Sequence, residues 1–344
     1  MLHTLDPYAV RLWGDFGIRW YGLSYLAGFA AAYLLIKYLS VKGLTRISSS
    51  LVSDFVFTVA LGTVVGGRLG YCIFYSPELL TRVSDRFPFW GVLAVNEGGM
   101  ASHGGIAGII ISCAWFARKH GFSGLHAMDL CALTGPIGIL FGRIANFVNG
   151  ELVGRPCEKA LSWCVKFPQD IFLWPRSEPQ KMLALGDAAQ AYGVTKERWH
   201  ELIGNYAYRR DAWREVEGLL ARIVDGVQAG NQKVIEAIEP LLVLRHPSQL
   251  YEAALEGLFL FAALLLFWAR PRKPGVIMAA FLVIYSVVRI IGEQFRMPDA
   301  HIGFQALGLT RGQWLSAGML AIGLLVWVAV SRRSDGKVGG WYRS

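Results

Sequence analysis

Seven stretches of mostly apolar residues recur along the chain, near Trp20–Leu39, Leu51–Tyr75, Gly104–Ala117, Met128–Phe147, Tyr251–Ala269, Gly275–Ile291 and Gln313–Val330. A helix needs about 20 such residues to cross the hydrocarbon of a bilayer. The pattern therefore predicts an all-α polytopic membrane protein with seven transmembrane helices. The third stretch is short, and its helix is expected to begin in the loop before it. Between the fourth and fifth stretches the chain turns polar. Pro156, Pro168, Pro175 and Pro179 punctuate it, and apolar residues then recur at helical spacing in Val194–Tyr206, Asp211–Val227 and Lys233–Leu242. This predicts three parts: residues 1–154 with helices one to four, a mostly helical extracytoplasmic insertion over 155–244, and residues 245–344 with helices five to seven and a tail. Asp6 and Asp15, with a first apolar run that lacks a small-residue cleavage site, argue against a cleavable signal peptide.

Charge gives the expected orientation. Of the 344 residues 54% are hydrophobic and only 17% charged, against roughly 25% charged in soluble domains. The net charge of +9 invites a nucleic-acid partner, but its distribution makes one unnecessary. Lys37, Lys42 and Arg46 follow stretch one, and Arg118 and Lys119 follow stretch three. Arg270, Arg272 and Lys273 follow stretch five, and Arg332, Arg333, Lys337 and Arg343 follow stretch seven. Lys and Arg gather in cytoplasmic loops, so the N-terminus is expected outside and the C-terminus inside. In the loop Ser76–Ser102, Arg82 and Arg86 face Glu78, Asp85 and Glu97. The five cysteines include no CxxC pair, which leaves out a zinc ribbon or a disulfide scaffold. Cys157 and Cys164 fall on the side that permits disulfides, as a bonded pair or as two free thiols. Cys72, Cys113 and Cys131 lie in or near spans and read as packing residues.

Ionisable residues inside a membrane are costly and usually functional. Arg68, Arg143, Glu252, Glu256, Arg289 and Glu293 fall in the outer halves or outer ends of their spans, and His103 at the mouth of the third. On a helix Arg143, Asn146 and Gly150 share a face, with Asn149 beside them and Glu151 where the helix ends. A guanidinium offers a planar fork of donors that suits a phosphate. The alternative is that Arg143 only pairs with Glu151 or another buried acid. Arg245 precedes the fifth stretch, at the interface, as a head-group ligand or as an ordinary snorkelling side chain. His103 is a proton acceptor or plain hydrogen-bonded structure. Asp54 and Asp129 read as acids at helix N-termini. Gly62, Gly66 and Gly70, with Gly104 and Gly108, make small-residue faces for close helix packing. Tyr21 is an interfacial belt residue or a cavity wall. An anionic amphiphile held by its head group is the natural ligand, and without an internal repeat an enzyme fits better than a transporter.

Several segments then carry a resemblance. GRIANFVNGELVGR, RWYGLSYLAGF, GGRLGYCIFY, EGGMASHGG, RHPSQLYEA and FRMPDAHIG resemble, in order and across nearly the whole chain, the prolipoprotein diacylglyceryl transferases. The stretch from about Pro156 to Leu244 is covered least, and Ala145 stands where the family usually has Gly. The resemblance implies transfer of the diacylglyceryl group of phosphatidylglycerol to the thiol of a prolipoprotein's lipobox cysteine. Glycerol phosphate leaves and a thioether remains, the first step of bacterial lipoprotein maturation at the inner membrane. No metal or soluble cofactor is expected. Arg143 is implied to bind the lipid and Arg245 to be a second essential cation, expected to stabilise the leaving phosphate or, in the alternative that frees His103 from acting as base, to lower the pKa of the acceptor thiol. His103 would act as base, and Tyr21, Asn146, Glu151, Asn149 and Gly150 would shape the substrate pocket. A lipid transporter with the same arginines, or a non-catalytic member whose insertion binds a partner, are the alternatives.

Overall fold

A computed structural model describes the chain except Gly14, Asp15, Arg86, Phe87, Asn96, Glu97, Lys159, Ala160, residues 299–302, Arg343 and Ser344. Asp15, Arg86, Glu97, Arg343 and the centre of FRMPDAHIG thus lie outside the described residues.

A helix covers each of the seven apolar stretches. They are α1 (Trp20–Val41), α2 (Val52–Phe74), α3 (Ser102–His120), α4 (Gly124–Asn149) and, after the polar region, α8 (Ser248–Trp268), α9 (Val276–Gly292) and α10 (Arg311–Arg332). Five of them, α1, α2, α4, α8 and α10, are long and apolar enough to cross a bilayer. The protein is a helical, multi-pass membrane protein. α9 is apolar but shorter, at 17 residues. α3 starts at Ser102, ahead of its apolar core, and stops at Gly121, whose φ of 71° suits a residue without a Cβ. Two features carry no clear sequence signal. Residues 253–259 in the middle of α8 wind as a π-helix. Ahead of α1, β1 (Tyr8–Trp13) and β2 (Phe16–Arg19) pair as an antiparallel hairpin, with Val10 opposite Ile18.

The described chain divides into two compact units, each discontinuous in sequence. The first comprises Met1–Tyr25, Ile139–Gly257 and Val287–Gly318. Most of its apolar core comes from α5 (Lys196–Asn205), α6 (Arg210–Gln228) and α7 (Gln232–Ile238). Along α6, Ala212, Val216, Leu219, Ile223 and Val227 recur every three or four residues and are all buried. They pack with Trp174, Met182 and Trp199, each large side chain contributing about 1.5–3 kcal/mol by leaving water. Trp199 donates its indole N–H to the Met182 carbonyl at 2.9 Å. Thr195 caps α5 by accepting from the Arg198 amide. Two short strands, β3 (Val165–Lys166) and β4 (Leu244–Arg245), pair antiparallel. Cys157 and Cys164 are joined by a disulfide.

The second unit comprises Leu26–Gly138, Leu258–Ser286 and Met319–Ser344. Its core gathers Ile36, Phe55, Phe116, Leu130, Leu264, Trp268 and Ile277. Here α2 and α3 pack through their glycines. A Cβ on Gly108 would strike the carbonyl oxygen of Gly62, and one on Gly70 would lie 2.9 Å from the Gly104 Cα. Asp129 caps a neighbouring helix instead of its own. Its carboxylate accepts from the amides of Gly275 and Met278 at 2.7 and 2.8 Å, which fixes the start of α9. Cys113 and Cys131 pack sulfur to sulfur at 3.5 Å, and Cys72 is fully buried.

Two expectations follow. Gly108→Leu should destabilise the protein by about 3 kcal/mol or more through overpacking against backbone, read as a fall in the thermal midpoint in detergent. His3 is fully buried between Phe147 and Phe167, its Nε2 2.7 Å from the Phe147 carbonyl, and burial holds its pKa below the usual range. The unfolded chain therefore takes up a proton near pH ~6.5 that the folded one resists, so stability is lost as pH falls below that value. From about pH 7.5 to about pH 5.5 the thermal midpoint should drop more in wild type than in His3→Gln.

Candidate functional site

The first unit collects an uncommon density of polar side chains at the end of α4. The helix stops because Gly150 adopts a φ of 67°, where its amide bonds Phe147 O and the Glu151 amide bonds Asn146 O. A Cβ there would run into the Gln169 carboxamide. Leu152 follows at a φ of 55°, a region costly for a branched side chain. This turn folds Glu151 back along α4. Its carboxylate accepts from the Tyr21 hydroxyl, and the Asn146 amide donates to the same hydroxyl. The Asn149 amide reaches Glu151 at 3.3 Å, and Gln249 and Ser248 donate to the carbonyls of Glu151 and Leu152. Five of the residues singled out from sequence, Tyr21, Asn146, Asn149, Gly150 and Glu151, are thus assembled together. Around them Asn149 Oδ1, both amide atoms of Gln169, and Gln249 Oε1 are buried and have no partner among the described residues.

Arg143 pairs with acids, but Glu151 is not one of them. Its Nη1 lies 2.9 Å from Glu252 and its Nη2 2.9 Å from Glu256. Both carboxylates are fully buried, whereas Arg143 keeps 15% of its side chain exposed. Arg289 bridges the same two acids at 2.6 and 2.8 Å and holds Glu293 at 2.5 Å. Thr310 donates to the other oxygen of Glu293, and Arg296 stands 3.7 Å from Glu252. Among the described residues, three carboxylates and three guanidinium groups meet in this network. Glu252 closes the α-helical start of α8 and Glu256 lies in its π-helical segment. Local π-helix is frequent at functional sites, where it re-aims side chains.

Arg245 is not at an open interface. It is 4% exposed on β4 and its Nε meets Asp170 at 2.5 Å. Its Nη1 donates to the Gly154 carbonyl and contacts the Met297 sulfur, both at 3.2 Å. Nη2 makes no hydrogen bond among the described residues. Burial pushes the Asp170 carboxyl up, and the Arg245 guanidinium pulls it back down. Asp170 is the residue that sequence reasoning overlooked. Its signal was an acid set in the apolar run Phe167–Trp174.

His103 is the second residue of α3, in the second unit, and its side chain is exposed. Arg68, in the same unit, is committed to the backbone. It is 4% exposed and donates to the backbone carbonyls of Gly91, Val92, Ala94, Gly98 and Gly99. A guanidinium buried this way organises the chain that leads into α3. Arg155, not singled out from sequence, lies in the first unit. It donates to the carbonyls of Arg296 and Glu293 and covers the Phe304 ring, with no carboxylate partner among the described residues.

With this geometry in place, comparison with known proteins is specific. The model of the prolipoprotein diacylglyceryl transferase family matches residues 7–329. The chain is 52% identical over 343 residues to the phosphatidylglycerol–prolipoprotein diacylglyceryl transferase of Bdellovibrio bacteriovorus, covering 100% of this chain and 97% of that one. Relatives of the same name from Paracidovorax citrulli and Neisseria gonorrhoeae are 34% and 36% identical. They align with 97% and 95% of this chain and with 98% and 96% of their own.

The ion network makes a prediction of its own. Glu252→Gln keeps the shape but leaves three arginines short of a carboxylate. Breaking a buried pair from one side costs about 3–5 kcal/mol, and the thermal midpoint should fall accordingly. An unchanged midpoint would mean that Glu252 is not the shared anchor.

Proposed function

The chain belongs to the prolipoprotein diacylglyceryl transferase family, and we propose from that premise that it moves the diacylglyceryl group of phosphatidylglycerol onto the thiol of a prolipoprotein's lipobox cysteine. The bond between a glyceryl carbon and a phosphate oxygen breaks, and a carbon–sulfur bond forms. The thiol proton leaves to a base, and glycerol phosphate departs. The observation that carries the reading is the cluster of Tyr21, Asn146 and Glu151 at the end of the helix that carries Arg143.

Arg143 takes the lipid phosphate. Glu252 and Glu256 hold its fork in one orientation and offset the cost of desolvating it. A preoriented donor pays no reorganisation as charge grows on the leaving group. Arg245 is the second cation. Asp170 and Gly154 fix Nε and Nη1, which leaves Nη2 for the departing phosphate. Arg155 adds positive charge in the same unit without a carboxylate to cancel it. The head-group glycerol carries hydroxyls, and the unpartnered atoms of Asn149, Gln169 and Gln249 supply donors and acceptors for them. Tyr21, Asn146, Glu151 and Gly150 hold that pocket in shape. The thiolate is the attacking species, and the family resemblance, rather than geometry, supports His103 as the acceptor of the thiol proton.

The protein sits in the bacterial inner membrane with seven spans, the N-terminus outside and the C-terminus in the cytoplasm. The Lys and Arg bias of the short loops supports this orientation. The Cys157–Cys164 disulfide supports an outer location for residues 155–244.

The test is transfer itself. Purified protein with phosphatidylglycerol and a lipobox peptide should add the mass of a diacylglyceryl group to the peptide cysteine, and nothing to a Cys→Ser peptide. Arg143→Lys, which keeps a cation beside Glu252 and Glu256, should remain folded yet lose about 100-fold or more in turnover. Normal turnover by that variant would remove Arg143 from the phosphate site.

A further inference from the structure

Cys157 and Cys164 belong to none of the motifs above, yet the chain places their bond beside the proposed leaving-group cation. The strand that carries Arg245 is flanked on both sides. On one side Pro156 bridges to Arg245, the Cys157 amide donates to the Leu244 carbonyl at 2.9 Å, and the His246 amide donates to Arg155 at 3.0 Å. On the other side Val165 pairs with Arg245 and Lys166 with Leu244. The disulfide joins these two arms across the strand.

Each arm also delivers one of the groups that hold the guanidinium. Gly154, whose carbonyl accepts from Nη1, lies three residues before Cys157. Asp170, whose carboxylate accepts from Nε, lies six residues after Cys164. The strand pairs are only two residues long, and pairings this short are marginal without support. Within the disulfide ring, Trp163 donates to the Tyr251 hydroxyl at 2.8 Å, and Tyr251 packs with His246 and Phe295. The ring thus grips the segment that follows Arg245 as well.

We propose that the Cys157–Cys164 disulfide is a positioning element for Arg245, so that transfer runs at full rate only while the bond is intact. The proposal rests on Arg245 acting on the leaving phosphate, as assigned above. Opening the bond takes two electrons from a dithiol. Cys164 is 1% exposed and Cys157 is partly exposed, so the reagent thiolate attacks the Cys157 sulfur. The mixed disulfide is then displaced by the reagent's second thiol. The products are two cysteine thiols and the cyclic disulfide of the reagent. A disulfide oxidant reverses the exchange. With Asp170 and Gly154 no longer tied together, Arg245 keeps its partners only part of the time, and turnover falls without loss of the fold.

The experiment uses the full-length protein in detergent, assayed oxidised, after dithiothreitol and removal of the reagent, and after reoxidation. EDTA is present throughout, because the two sulfurs and a His246 ring nitrogen lie within 4.8 Å of one another and could trap a metal ion once reduced. Expected on reduction is a fall in kcat of about tenfold, with KM for phosphatidylglycerol and the thermal midpoint nearly unchanged, and recovery on reoxidation. A Cys157→Ser, Cys164→Ser double variant should start at the reduced rate and ignore dithiothreitol, although Cys72, Cys113 and Cys131 remain. Equal kcat in both states of wild type would overturn the proposal. So would a loss that follows KM or the melting temperature, or a double variant that still responds to dithiol. Arg245→Ala in the oxidised protein separates the two ideas. If it is fully active, the role of Arg245 fails and takes this proposal with it. If it is inactive while reduction of wild type changes nothing, only the disulfide's part fails.

Discussion

The pairing of Arg143 and Arg289 across Glu252 and Glu256 is the interaction on which the first unit depends. Each carboxylate touches both arginines, so no member can leave without stranding a buried charge. Such a network is a poor source of net stability, because desolvation consumes much of the Coulomb gain. Its value lies in geometry. It ties α4, α8 and α9 together through groups that tolerate one arrangement, and it leaves 15% of the Arg143 side chain exposed. Glu293 and Thr310 extend the network to the start of α10. The π-helical segment of α8 fits this picture, since Glu252 and Glu256 both address the same pair of guanidiniums.

The same side chain serves three purposes in this protein, and the partner decides which. Arg68 spends its donors on backbone carbonyls and becomes a clamp for a loop. Arg289 is surrounded by carboxylates and becomes a strut. Arg143 and Arg245 are each fixed by acids, and in the proposed reading both serve the lipid phosphate. In a low-dielectric setting a fixed cation suits a phosphate better than a mobile one, because its orientation cost is met during folding.

Backbone irregularity positions the neutral part of the site. A regular continuation of α4 past Asn149 would carry Glu151 away from Tyr21. Gly150 and Leu152 at positive φ reverse the chain within a few residues. Glu151 then accepts from Tyr21 and from Asn149 while Gln249 holds its carbonyl. The strain at Leu152 is of the kind that persists where surrounding contacts over-determine a segment.

The sequence by itself determined that this is a multi-pass helical membrane protein, because runs of some 20 apolar residues have few other stable fates. It also determined the family, through long motifs, and it marked every arginine and glutamate of the buried network except Arg296, because charge in apolar surroundings stands out. Partners were another matter. Arg143 was free to meet Glu151 or some other acid, and only the fold chose Glu252 and Glu256. Arg245 looked interfacial until Asp170, 75 residues away in the chain, closed over it. The pairing of Cys157 with Cys164, the π-helix in α8 and the hairpin before α1 were likewise decided in three dimensions. Each depends on which segments are brought together across the fold, and local periodicity carries no record of that.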